Sequence, residues 1–153
     1  MNIKIIANLF CLMAFAVAST EAFAASNDDY SVVSNKSVAY HDAVKLIKIH
    51  DYDAALAKLK MAEKLADKDA DIQNLLGFAS RKSGRLEDAA RYYQKALQLD
   101  PKHKGALEYQ GELFLMLGDK VAAEKNLQKL DKICWLGCGE LDDLRAAIRN
   151  YKP

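Results

Sequence analysis

The sequence predicts an all-α chain, a solenoid of three helix-turn-helix repeats closed by a C-terminal capping helix. Three observations carry that expectation. Small residues recur at Ala43, Gly77 and Gly111, and again at Ala55, Ala89 and Ala123, always 34 positions apart. The turn residues His50, Gly84 and Gly118 and the bulky residues Leu59, Tyr93 and Leu127 keep the same interval. No segment reads as a convincing strand. Self-similarity at this period is the mark of stacked helix pairs, each unable to bury its apolar face alone.

The chain has 153 residues, about half of them apolar and only two proline, which suits one helical domain. Its first segment differs from the rest. Lys4 is the single charge ahead of an apolar stretch from Ile5 to Ala18, and Ala22-Phe23-Ala24 then gives a small-x-small cleavage pattern. That order is the anatomy of a secretory signal peptide, expected over 1–24 with cleavage after Ala24 or Ala25. An uncleaved anchor fits less well, because the stretch is shorter than the roughly 20 residues that span a bilayer. A lipoprotein signal is also disfavoured, since bulky Phe10 precedes Cys11. The expected destination is the periplasm or the exterior. Residues 25–35 are polar and read as a flexible linker.

The repeats then occupy about 36–69, 70–103 and 104–137. Two antiparallel helices approach closely only where side chains are small, hence Gly or Ala in the first helix facing Ala in the second. A bulky residue four positions beyond that Ala lies on the same helical face and fills the space beside the contact. The turn requires a left-handed backbone, which Gly adopts freely and His more readily than β-branched residues. Pro101 is expected in the first turn of the following helix, where its missing N–H costs nothing.

These residues resemble the tetratricopeptide-repeat (TPR) family. The likeness is closest within 70–103, where Leu76-Gly77, Ala89, Tyr93, Ala96 and Pro101 fall on the family motif. The flanking repeats are looser: Asp67 and Trp135 stand where the family has proline, and Leu130 replaces a small residue. The resemblance implies a right-handed solenoid whose first helices line a groove that binds a polypeptide. On this chain the groove would comprise Tyr40, Val44 and Ile47, then Asn74, Phe78, Arg81 and Lys82, then Glu108, Glu112, Leu115 and Met116. An apolar strip of Val44, Phe78, Leu115 and Met116 would run through it. The positions of the family's carboxylate clamp hold Tyr40, Val44, Leu75, Gly105 and Tyr109, so a C-terminal carboxylate is not the expected ligand.

A stack of helix pairs exposes an apolar end and needs a cap. Residues 139–151 supply one, with Leu141, Leu144, Ile148 and Tyr151 at helical spacing. Before it lies Cys134-Trp135-Leu136-Gly137-Cys138. Loss of Cys11 with the signal leaves this pair as the only thiols, and in an oxidising compartment a disulfide is favoured, with Gly137 easing closure. A Cu(I) site, a redox-active dithiol and idle thiols are the alternatives, His103 being the nearest conceivable third ligand. Trp135 reads as a packing anchor between cap and stack, or as an exposed partner contact.

Little else points to chemistry. Twenty-two basic against 21 acidic residues leave a charge of +1, unchanged by signal removal, and nothing that asks for nucleic acid or an anionic membrane. His41, His50 and His103 form no ligand spacing, and no nucleophile–base pair or phosphate loop can be assembled. No metal or cofactor is expected. The reading is a periplasmic adaptor whose partner is a protein or peptide segment. The alternative is an envelope assembly factor using Cys134 and Cys138 for copper delivery or thiol exchange.

Overall fold

A computed structural model describes residues 36–152; the expected signal peptide and linker lie outside them. Among the described residues there are seven helices and no strand. They are α1 (Val38–Lys48), α2 (Tyr52–Leu65), α3 (Ala70–Lys82), α4 (Leu86–Leu99), α5 (Lys104–Met116), α6 (Lys120–Ile133) and α7 (Gly139–Asn150). Helices α1, α3 and α5 each pair with the next as a hairpin, and α2, α4 and α6 each pack on the helix that follows. The result is an all-α helical repeat solenoid with α7 as its cap.

Local chemistry fixes where the helices begin and turn. Ser37, Asp51, Asp69 and Asp119 cap α1, α2, α3 and α6 by accepting from backbone N–H groups one turn in. At α5 the cap is His103, whose Nδ1 accepts from Ala106 N at 3.1 Å. Within the hairpins, His50, Gly84 and Gly118 take φ of 62°, 76° and 81°, so all three turns use the left-handed backbone that their spacing predicted. Pro101 departs from expectation. It lies in the turn after Asp100, and α5 starts only at Lys104.

The close helix approach is clearest in the second hairpin. A Cβ on Gly77 would stand 2.6 Å from the ring of Tyr93, which is wholly buried. The third hairpin solves the same problem differently. Gly111 faces Leu144 of α7, whose Cδ1 would lie 2.6 Å from an added Cβ, while Leu127 stays half-buried. The capping helix lies against α5 and α6 and drives its own leucine into the gap. Leu144 joins Leu107, Leu130, Leu141 and Cys134 in a core at this end.

Cys134 and Cys138 come together, their Cα atoms 5.7 Å apart, a separation a disulfide can span. Cys134 is buried, Cys138 packs on the same core, and Gly137 between them has φ 88°. Trp135 is not the packing anchor. It is 81% exposed and its neighbour Leu136 80% exposed, because the short loop directs both sulfurs inward and leaves the residues between them outside.

Candidate functional site

The first helix of each repeat, α1, α3 and α5, carries all eleven groove residues, and the structure divides them by depth. Lys82 and Met116 are exposed; Tyr40, Val44, Ile47, Phe78 and Glu112 are half-buried. Tyr40 and Ile47 pack against the core of the first two repeats. Asn74, Arg81, Glu108 and Leu115 are buried. The expected apolar strip is therefore interrupted. Leu115 lies beneath the surface because its side of α5 faces the core, whereas Met116, one residue on, points out.

What the structure assembles instead is an aromatic and charged centre. Phe78 of α3 meets Tyr109 of α5 at 5.0 Å between ring centroids and Tyr52 of α2 at 6.2 Å. The Arg81 guanidinium lies 5.7 Å from the rings of both Phe78 and Tyr109, and Lys82 reaches the Phe78 ring at 5.5 Å. Arg81 also pairs with Glu112 at 2.5 Å and donates from Nε to the Tyr93 hydroxyl at 3.4 Å. One buried arginine thus ties the groove to the tyrosine that fixes the hairpin. Tyr93 and Tyr109 pack with centroids 6.4 Å apart, which continues the link into α4.

Electrostatics differ along the groove. Arg81 and Lys82 make its α3 side basic. Towards α7 it becomes acidic: Glu108 is buried, 7% exposed, and no described residue forms a hydrogen bond or ion pair with it. Burial pushes its carboxyl up to about 8, reinforced by the negative fields of Glu112, Asp143 and Glu140 and offset in part by Arg81. Asn74, at the matching position of α3, buries its Oδ1 without a partner.

On the opposite side of the stack, charges tie repeat to repeat. Glu63 accepts from Gln73 at 2.8 Å, from Lys60 at 3.0 Å and from Lys95 at 3.1 Å. Burial alone would raise its carboxyl, but those three donors outweigh it and bring it down to about 2. Arg85 reaches Asp53 at 2.9 Å, an exposed pair that contributes little. His103 is no third ligand for the cysteines. With Nδ1 accepting at the α5 cap, Nε2 donates to Asp71 at 2.9 Å, so both ring nitrogens are engaged. Among the described residues, no group of three or more His, Cys, Asp or Glu is placed to hold a metal ion.

The family model for the tetratricopeptide repeat matches residues 70–103, the segment in which Gly77 meets Tyr93. Residues 70–103 therefore carry a tetratricopeptide repeat. Solved TPR structures share the chain's architecture. Residues 41 to the end of MamA from Desulfovibrio magneticus RS-1 superpose with a TM-score of 0.59 at 28% identity, covering 62% of this chain and 54% of that one. The chain therefore spans about half of the MamA structure. The first TPR of Spaghetti (RPAP3), bound to the HSP90 peptide SRMEEVD, gives 0.65 at 15% identity over 73% of this chain and 89% of its own. The type III secretion translocator chaperone SycD of Yersinia enterocolitica gives 0.64 at 18% identity, over 74% and 85%. Those last two likenesses establish the fold alone. A comparison with curated proteins gave no match.

Sequence reasoning named eleven expected groove residues and missed Tyr109, which packs on Phe78 and Arg81, and Glu140 and Asp143, whose charges act on Glu108. Tyr109 follows Glu108 and stands at an equivalent of a clamp position, a signal that was available. Glu140 and Asp143 carried none, because α7 lies outside the repeat and its register against α5 cannot be read from the period.

Proposed function

We propose that this chain is an exported adaptor that holds a segment of another polypeptide on the face formed by α1, α3 and α5. The observation that carries the reading is the centre built from Phe78, Arg81, Tyr109, Glu112 and Met116. Three side chains there offer apolar area, and their charged neighbours are held by ion pairs and rings, so little ordering is left to occur on binding. Met116, 55% exposed, offers an adaptable apolar contact at the rim. The peptide-bound Spaghetti TPR supports a protein partner, and the signal-like pattern of 1–24 supports export. Catalysis has no evident constellation to carry it. Replacing Phe78 and Met116 together by alanine is expected to weaken partner capture at least about ten-fold while leaving the helical circular-dichroism spectrum intact. Unchanged capture would place the binding surface elsewhere.

The cysteines fit a structural role within this proposal: a disulfide that closes the loop between α6 and α7 and holds the cap on the stack. Cys134 sits in the terminal core, which hinders the access that thiol exchange or metal transfer needs. Replacing both cysteines by serine should cost about 2 kcal/mol, the loop-closure entropy of so short a ring, and spare partner binding. Lost binding by a variant with an unchanged unfolding curve would favour thiol or metal chemistry instead.

A further inference from the structure

Glu108 is an expensive residue to keep where it is. It is 7% exposed on the groove side of α5, no described residue donates to its carboxylate, and its oxygens keep some contact with solvent. α7 packs on α5 with Leu144 against Gly111, one turn from Glu108, which brings Glu140 and Asp143 to this end of the helix; with Glu112 they surround it with acid, and the one cation among the groups acting on it, Arg81 of α3, is already held by Glu112 at 2.5 Å and by the Tyr93 hydroxyl. A buried acid flanked by other acids resists ionisation, and a cation that entered beside it would favour its carboxylate form. The aromatic centre lies on the same helix, since Tyr109 adjoins Glu108 and Met116 lies two turns further on.

Resting on the groove reading above, we infer that the α5–α7 end of the groove is a receptor for a basic side chain of the bound segment. A lysine or arginine of that segment sits against Glu108, Glu140 and Asp143, and its apolar neighbours lie on Phe78, Tyr109 and Met116. The proton balance follows. In the free chain burial keeps Glu108 largely protonated at neutral pH. On binding, the carboxylic O–H bond breaks, the proton passes to solvent, and the carboxylate pairs with the incoming ammonium or guanidinium. Peptide binding near pH 7 therefore releases a proton, and affinity rises with pH up to the point where Glu108 is ionised in the free chain.

The test is to pan a random peptide library displayed on phage against the chain, and to measure the selected peptides by calorimetry in buffers of different ionisation enthalpy. Selected peptides should share a Lys or Arg at a fixed distance from apolar residues and release a proton on binding. Affinity should fall at least about ten-fold when that cation becomes norleucine, or when Glu108→Gln or Asp143→Asn is introduced. Glutamine is isosteric with the protonated acid, so the Glu108 variant is expected to fold. Peptides that need Phe78 and Met116 but are indifferent to their own cation and to Glu108→Gln would overturn this inference and leave the groove reading standing. If no peptide is enriched, or binding ignores Phe78 and Met116, both readings fail. Magnesium alone shifting the Glu108 carboxyl resonance would assign the acids to a metal ion and also overturn the inference.

Discussion

Gly77→Ala should destabilise the chain by about 2 kcal/mol, although alanine is the better helix former by about 1 kcal/mol. The added methyl would stand 2.6 Å from Cδ1 and Cε1 of Tyr93. That ring cannot withdraw. It is fully buried, its hydroxyl accepts from Arg81, and it packs on Tyr109. Relief must come from separating α3 and α4, which loosens Ala89 and Leu76 as well. Gly111→Ala is the informative companion. There the methyl would meet the end of Leu144, a flexible side chain on the terminal helix, so the cost should be about 1 kcal/mol. Urea unfolding of both variants checks the pair. A neutral or stabilising Gly77→Ala would mean that the two helices do not approach this closely.

Stability should also fall as pH rises from about 5 to 9. Glu108 has its carboxyl raised from 4.5 to about 8 in the folded chain. A raised acid binds its proton more tightly when folded. Its contribution is thus complete below the unfolded value and lost as pH climbs through the folded one. At about 1.4 kcal/mol per unit the full shift would be worth nearly 5 kcal/mol; screening at the mouth of the groove lowers the expected loss to about 2 kcal/mol. Glu63 acts with the opposite sign. Its carboxyl is lowered to about 2, so its stabilisation is present above 4.5 and disappears only as pH falls towards 2, outside this window. Glu108→Gln should therefore flatten the alkaline limb and make the chain more stable than wild type at pH 9. A variant whose unfolding midpoint keeps the wild-type pH dependence would show that Glu108 is solvated.

The repeat was legible because its determinants are local. A left-handed turn admits few residues, and His50, Gly84 and Gly118 occupy it at φ between 62° and 81°. A tight helix crossing admits only small ones, as Gly77 against Tyr93 shows. The family resemblance placed the expected groove residues on the first helices, but not at their depths. Leu115 and Met116 are adjacent in sequence and differ by one step around the helix, which decides between core and solvent. What the repeat could not supply was anything set by α7. Leu144 takes the place beside Gly111 that the period gave to Leu127, and Asp143 and Glu140 turn the groove acidic beside Glu108. The outward position of Trp135 belongs to the same class, since the inward course of Cys134 and Cys138 determines it.

The central claim is that a partner segment lies along the first helices. Site-specific photo-crosslinking in cells making the full chain tests it most directly, with a photoreactive phenylalanine analogue at position 82 or 116 in the groove and at 125 or 128 on α6. All four native residues, Lys82, Met116, Lys125 and Gln128, are exposed. The expected result is a shared crosslinked protein from 82 and 116, lost when Phe78→Ala is added, and none from α6. A product from 125 and 128 alone, or one indifferent to Phe78, would contradict it.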